Sequence, residues 1–203
     1  MSYGRRSCCN FKRAEELDVS GINVSGRVDL SYFMSDCPLL RKTDVSHFNT
    51  EDTTNLSGFF YNCPQLRTFG DISLWKTNNL LYCNDFFGGN QYIESINLSG
   101  WETPILKECS NMFSSMILCK VIDISNWTTS QIESVFSLPP YLDYLIMDKE
   151  EIKFPNKIFA NNSHTKYLVP SNMVNLYKEH ANWQSRASQI DSIDNYTITR
   201  YDG

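Results

Sequence analysis

The stretch TDVSHFNT, residues Thr43 to Thr50, and the GFFYNCPQLRTF that follows from Gly58 to Phe69 decide the fold, because both recur along the chain. The Asp-apolar-Ser core reappears in LDVSGI, GDISLW, INLSGW and IDISNW. Its Asp or Asn falls at Asp18, Asp44, Asp71, Asn97 and Asp123, in steps of 26, 27, 26 and 26. The aromatic half recurs in YFMSDCPLL, DFFGGNQYI and NMFSSMILC, placing Met34, Phe60, Phe87 and Phe113 at steps of 26, 27 and 26. A fifth, shortened copy carries Phe136 in SVFSLPPYL. Two motifs locked to one period mark a stack of equivalent coils. A β-sandwich of short strands is the competing assignment, but it requires no constant step.

Each column of the repeat has a physical reading. The residue after the Asp or Asn is Val19, Val45, Ile72, Leu98 or Ile124, largely β-branched and suited to a strand. Ser20, Ser46, Ser73, Ser99 and Ser125 follow, and two residues on stand the large Ile22, Phe48, Trp75, Trp101 and Trp127. Val24, Thr50, Thr77, Thr103 and Thr129 form a further column, and Leu30, Leu56, Cys83, Cys109 and Ile132 another. Each coil is predicted to supply one short strand, an extended stretch rich in hydroxyls, and about one turn of helix around the Phe. One coil cannot bury its own apolar face, but stacked coils can. The Ser, Thr and Asp/Asn columns are placed to hydrogen-bond backbone groups at the corners. The expected class is α/β and β-rich, a right-handed solenoid with one short parallel strand per rung and a C-terminal helical cap.

These residues resemble the BspA-like leucine-rich repeats of 25–27-residue period. TDVSHFNT with GFFYNCPQLRTF is the best match, and NLSGWET with NMFSSM is close. YLVPSNMVNLYKEHANWQSRASQI, Tyr167 to Ile190, is similar to the closing segment of such chains. Gly88-Gly89-Asn90 departs from the expected small-x-Cys, and one repeat holds an added residue at Gly70. The resemblance implies a leucine-rich-repeat-like binding solenoid of the kind found in bacterial surface proteins, phage products and some parasites. It implies no reaction.

The period divides the chain into an N-terminal cap over 1–16, a five-rung solenoid over 17–145 and a C-terminal capping segment over 146–203. Cys8, Cys9 and Phe11 are placed to cover the first rung. After Pro170 a helix capped by Ser171 or Asn172 presents Met173, Val174, Tyr177, Ala181 and Trp183 mostly on one face. Tyr196 to Tyr201 either adds a final strand or frays.

The 203 residues carry 18 Lys and Arg against 23 Asp and Glu, a net charge of −5. That balance argues against a non-specific nucleic-acid binder, which needs a basic face. No apolar run approaches the ~20 residues that cross a bilayer, and the first residues hold no secretory h-region. Of the 7 cysteines, Cys37 and Cys63, like Cys83 and Cys109, stand one period apart, which reads as small core residues. Disulfides between neighbouring rungs are geometrically conceivable, but the missing leader points to a reducing cytoplasm. His47, His164 and His180 lie in no nucleophile or metal pattern. The Asp column suits corner hydrogen bonding better than a cation ladder. No catalytic residue, metal or cofactor is expected. The N-x-Ser/Thr sequons at Asn23, Asn55, Asn97, Asn126, Asn161 and Asn195 carry little meaning in so Asn-rich a chain.

What varies from coil to coil is the surface. The least repetitive columns are Glu15, Arg41, Arg67, Glu94 and Lys120, beside Glu16, Lys42, Thr68, Ser95 and Val121. Packing forces core columns to repeat and leaves a ligand surface free to vary. The expected partner-binding residues are therefore Glu15, Glu16, Arg41, Lys42, Arg67, Thr68, Glu94, Ser95 and Lys120, facing a protein surface of mixed charge. The expected function is a non-catalytic protein-binding module, such as a phage- or mobile-element-encoded inhibitor that occludes a host protein. The alternative is an adhesin or phage receptor-binding protein that recognises a cell-surface glycan or receptor.

Overall fold

A computed structural model describes residues 12–128, 131–133, 137–147, 163–181 and 183–198. The N-terminal Cys8, Cys9 and Phe11, together with Thr129, Phe136, Asn161 and Tyr201, lie outside the described residues. Seven short strands follow in chain order: β1 (Glu16–Leu17), β2 (Lys42–Thr43), β3 (Ser95–Asn97), β4 (Val121–Asp123), β5 (Tyr144–Ile146), β6 (Lys166–Val169) and β7 (Ile190–Ser192). All pairings are parallel and between successive strands, β1 with β2 and then β3 through β7. A parallel bridge from Lys42 to Thr68 carries the ladder onto the third coil. The molecule is a parallel β-solenoid.

The break in the ladder falls where the repeat has its extra residue. Leu98 N–H bonds the Asp123 carbonyl at 2.8 Å, and Ile124 N–H bonds the carbonyl of Ile146, in register with Asp123, at 3.0 Å. At the equivalent place Val45 N–H bonds Phe69 at 3.0 Å, two residues short of Asp71. Gly70 absorbs the offset with φ of 80°, and a Cβ there would collide with the Asp44 carboxylate. Only glycine takes that conformation without cost.

The strand ladder also runs past the last recognisable repeat. Ile122, Leu145, Tyr167 and Ile190 continue one inward-facing column in register, all buried. The C-terminal capping segment thus adds strands β6 and β7 to the stack. The chain between them forms a 3-10 turn (Ser171–Met173) and a helix α1 (Val174–Glu179), which buries Met173 and Tyr177. Neither Ser171 nor Asn172 caps it with a side-chain bond, and Ala181 is exposed. Trp183 packs edge-on against Tyr167 and Tyr177, with both centroid separations 5.3 Å.

The expected helical turn around each Phe does not form; the segment is a series of tight turns. Two columns of left-handed residues prevent a helix: Tyr32, Gly58, Asp85 and Asn111, then Asp36, Asn62, Gly89 and Ser115, with φ between 54° and 84°. Their alternation sends every second N–H to the next coil. Tyr32, Met34 and Asp36 donate to Ser57, Phe59 and Tyr61 at 2.8–2.9 Å. Phe33 and Ser35 close turns within their own coil. Gly58 leaves room for the Tyr32 ring, which a Cβ would overlap.

Inside, aromatic residues stack rung on rung. Phe48, Trp75, Trp101 and Trp127 are nearly parallel at 6.3, 6.2 and 6.1 Å. Phe33, Phe59 and Phe86 form a second stack at 5.9 and 5.5 Å, and Phe60, Phe87 and Phe113 a third at 5.9 and 6.4 Å. The indole N–H of Trp75 donates to Val45 O and that of Trp101 to Ile72 O, so the polar edge of each ring ties it to the preceding coil. Asn90 takes a cysteine position in the core. Its Nδ2 donates at 2.8 Å to Phe60 O, the counterpart of the Met34 carbonyl that Cys63 Sγ reaches at 3.1 Å.

At the strand exits the Asp/Asn column performs the corner role. Oδ1 of Asp18, Asp44, Asp71, Asn97 and Asp123 accepts the N–H of Ser20, Ser46, Ser73, Ser99 and Ser125 at 2.8–3.1 Å. The residue before each Ser accepts an i+3 N–H, from Val19 with Ile22 through Ile124 with Trp127. Asn23 and Asn55 build the same Asx turn with Ser25 and Ser57. The recurrent sequons at Asn23, Asn55 and Asn97 thus have a structural cause, the Asx-x-Ser corner. Thr50, Thr77 and Thr103 hydroxyls donate to carbonyls one coil ahead at 2.8–3.1 Å.

Two predictions follow from these corners. Gly58→Ala should lower stability by about 1–2 kcal/mol or more, since a left-handed alanine is strained and meets Tyr32. Asn111→Gly, at an exposed left-handed position, should stay within about 1 kcal/mol of the parent; urea midpoints compare the two. The second concerns Asp44. Asp44→Asn keeps the acceptor, as Asn97 does, and should be near neutral at pH 7, whereas Asp44→Ala should cost about 1 kcal/mol. The Ser46 hydroxyl and N–H hold the Asp44 carboxyl below its ordinary range, and the Ser20 N–H and hydroxyl do the same for Asp18. A folded-state pKa below the unfolded one contributes stability above the unfolded value near ~3.9 and loses it as pH falls through the folded value. Melting temperature should therefore fall below about pH 4, less steeply in D18N/D44N.

Candidate partner-binding face

The parallel register determines which side chains share the outer face. Glu16 pairs with Lys42, Lys42 bridges to Thr68, and Ser95 pairs with Val121, so the second variable column is held in register on either side of the break in the ladder. The first column lies at the corner just before the strand. Arg41 N–H bonds Glu15 O at 2.7 Å, Arg67 N–H bonds Arg41 O at 2.9 Å and Lys120 N–H bonds Glu94 O at 2.8 Å. Strict alternation would turn one of two adjacent residues inward. The corner removes that constraint, and Arg41 and Lys42 are both exposed. Glu15, Glu16, Arg67, Glu94 and Lys120 are exposed as well, and Thr68 and Ser95 are half-buried.

Charges on this face are partly satisfied by neighbours. Arg41 lies 3.5 Å from Glu15 and Lys120 lies 3.9 Å from Asp143, all four side chains being about half exposed or more. Such pairs contribute ~0–1 kcal/mol and constrain little. Lys120 Nζ also donates to Tyr141 O at 3.0 Å and stands 5.8 Å from the centre of that ring. Arg67 stacks over Tyr92 of the next coil at 4.4 Å.

Those tyrosines belong to a column that reading the sequence for charge passed over. Leu39, Gln65, Tyr92, Leu118 and Tyr141 stand two residues before Arg41, Arg67, Glu94, Lys120 and Asp143. They lie in the turn that leads into each strand, and Leu39, Leu118 and Tyr141 are exposed. Pro38, Pro64 and Pro140 immediately before them were the available signal. The face is therefore a charged strip flanked by an apolar and aromatic ridge.

At its C-terminal end the face is closed by the chain itself. Val121, Ile146 and Leu168 form a second apolar cluster, outside the main core, with Tyr144, Ile193, Tyr196 and Ile198. The Tyr144 and Tyr196 rings meet edge-on at 5.3 Å, and Tyr196 Oη donates to Asp191 Oδ2 at 2.7 Å. That bond holds the Asp191 carboxyl below its usual range and pushes the Tyr196 phenol up. Residues Tyr196–Ile198 thus cross the sheet rather than extend it. Val121, counted in the variable column, lies beneath them at 7% exposure.

The other candidates take ordinary places. His47 is an exposed corner residue against Phe48, His164 is exposed and His180 half-buried. Gly88 is buried against Tyr61 and Ser114, and Gly89 takes a left-handed φ of 84°. Among the described residues no group of three His, Cys, Asp or Glu side chains is placed to hold a metal ion. No helix among them is long and apolar enough to cross a membrane.

No curated protein and no solved structure matches the chain significantly. A family model described as "Mycoplasma protein of unknown function, DUF285" matches residues 11–138, which takes in most of the repeat region. The chain belongs to that repeat family.

Proposed function

We propose that this solenoid is a non-catalytic binding module that engages another protein through the outer face at Glu15, Glu16, Arg41, Lys42, Arg67, Thr68, Glu94, Ser95 and Lys120. One observation carries the reading: Ile193, Tyr196 and Ile198 cover the apolar end of the sheet, and among the described residues the charged side chains at the other end are exposed. A solvated sheet face with cations, carboxylates and a flanking ridge suits a polar partner by charge complementarity. The repeat motifs further support a BspA-like relationship. On that basis the module is proposed as a phage- or mobile-element-encoded inhibitor that acts in a reducing cytoplasm by occluding a host protein. It uses no cofactor, and its acidic balance disfavours nucleic acid.

A second reading has its own support. Tyr141 is exposed at the ridge and Tyr92 is half-buried beside it, and aromatic faces stack on sugar rings. An adhesin or receptor-binding role toward a glycan would use that ridge instead of the charged strip.

Capture from host lysate separates the two. R41E/K42E/R67E should fold like the parent by circular dichroism, since all three side chains are exposed, and should lose the captured protein at least about tenfold, as expected when rim charges are inverted. Unchanged capture by the triple variant would remove the charged strip from the binding face. Glycan binding abolished by Y92A/Y141A would establish the second reading.

A further inference from the structure

Four of the five described cysteines stand in two pairs, each pair bridging consecutive coils of one column. Cys37 and Cys63 are both buried, and the coils around them are joined by Met34 N–H to Phe59 O at 2.8 Å and Asp36 N–H to Tyr61 O at 2.9 Å. Cys83 and Cys109 are likewise buried, between Cys83 N–H to Glu108 O at 2.9 Å and Asp85 N–H to Ser110 O at 2.8 Å. The thiols of each pair influence each other electrostatically, while the Sγ atoms of Cys37, Cys63 and Cys83 reach Ser35 O at 3.5 Å, Met34 O at 3.1 Å and Met112 Sδ at 3.7 Å. Cys119 is a control supplied by the fold. It is equally buried, but its column neighbours are Ile93 and Leu142, and its Sγ turns to Val121 O at 3.6 Å.

We propose that Cys37/Cys63 and Cys83/Cys109 are two inter-rung dithiol modification sites, which a peroxide or a low-molecular-weight disulfide converts reversibly into cross-rung disulfides. Neighbouring coils lie ~4.8 Å apart, inside the ~4.4–6.8 Å Cα window of a disulfide. The Cβ atoms must draw closer than the ladder holds them, toward ~3.8 Å, which keeps the bonds on the easily reduced side. With peroxide, the Cys37 thiolate attacks one oxygen, the O–O bond breaks and hydroxide leaves, giving the sulfenic acid. Cys63 sulfur then attacks the Cys37 sulfur, the S–O bond breaks, and the departing hydroxide takes the Cys63 proton. Two thiols lose two electrons and two protons, and the peroxide becomes two waters. With a small disulfide, the Cys37 thiolate attacks one of its sulfurs and expels one thiolate. Cys63 sulfur then attacks the Cys37 sulfur of the mixed disulfide and expels the second, and the small disulfide becomes two thiols.

The pairs differ in how readily they start. Within the first pair the Cys63 contact makes Cys37 the more acidic partner and the one that attacks first. Cys37 also lies in the first coils, and repeat stacks open from their ends. Cys37–Cys63 should therefore form first and Cys83–Cys109 later.

The full chain, with C8S/C9S to simplify the count, is treated with hydrogen peroxide or oxidised glutathione, alkylated in denaturant and mapped without reduction. The expected result is a Cys37–Cys63 peptide, then a Cys83–Cys109 peptide, each lacking two hydrogens, with Cys119 alkylated throughout. Closing each loop should raise the melting temperature by about 5 °C, reversed by dithiothreitol. C63A and C109A, milder than the serine changes in a buried column, should each abolish one linkage and leave the other. Five alkylatable thiols after exhaustive oxidation would overturn the proposal. So would linkages that include Cys119 or that ignore the pairing.

Discussion

Everything in this molecule depends on one constraint: each coil must find its missing hydrogen-bond partners in the coil beside it. A single coil has almost no internal ladder, and its backbone N–H groups point along the stack. Buried backbone groups left unpaired are costly, so the coils must sit in register, and register puts like residues above like. The aromatic stacks follow from this. Trp75 and Trp101 lie at 11° to each other because their backbones are superposed by translation. The Thr50, Thr77 and Thr103 hydroxyls and the Trp75 and Trp101 indoles add ties between coils. Stability accumulates rung by rung through such neighbour contacts.

That constraint also explains what could be read from the chain. Columns that touch their own copies must repeat, so the Asp/Asn-x-Ser corner, the Trp column and the Phe columns were visible as a period. The turns around Phe60 were misjudged because an isolated GFFYN resembles a helical turn. The left-handed residues at Gly58 and Asn62 are dictated by bonds to neighbouring coils, which local propensity does not contain. Strands β5 and β7 leave no trace in the period for a different reason. Val121 pairs with Tyr144 and Tyr144 with Lys166, shorter intervals than the repeat. The ladder and its buried apolar column continue there without the Asp-x-Ser and aromatic motifs that advertise the repeat. Asn90 is intermediate: its side chain breaks the cysteine column yet donates to the carbonyl column that Cys63 uses.

The outer face was legible as the part that varies, but not in its extent. Nothing in YTI of Tyr196–Ile198 distinguishes a strand from a segment lying across one. The distinction rests on Val121, Ile146 and Leu168, which replace the polar residues that earlier coils carry at those positions. Glu16, Lys42, Thr68 and Ser95 give way to Val121 in one outward column. In the other, Asp71, Asn97 and Asp123 give way to Ile146 and Leu168. An apolar outward column needs a cover, and Ile193, Tyr196 and Ile198, which follow β7, supply it.

The same logic separates structure from recognition on this surface. The carboxylates of Asp18, Asp44 and Asp71 are committed to their own Ser N–H groups, so the regular acidic column is a corner device that happens to face solvent. Lys42 and Arg67 have no such duty to the backbone. Arg67 is held over Tyr92, which orders the guanidinium, and the residue stays exposed. An ordered cation costs less conformational entropy to engage than a free one. Recognition by this face is thus expected to concentrate where a variable side chain is steadied by an adjacent coil, as Arg67 is by Tyr92 and Lys120 by Tyr141, and not where the repeat already uses the side chain.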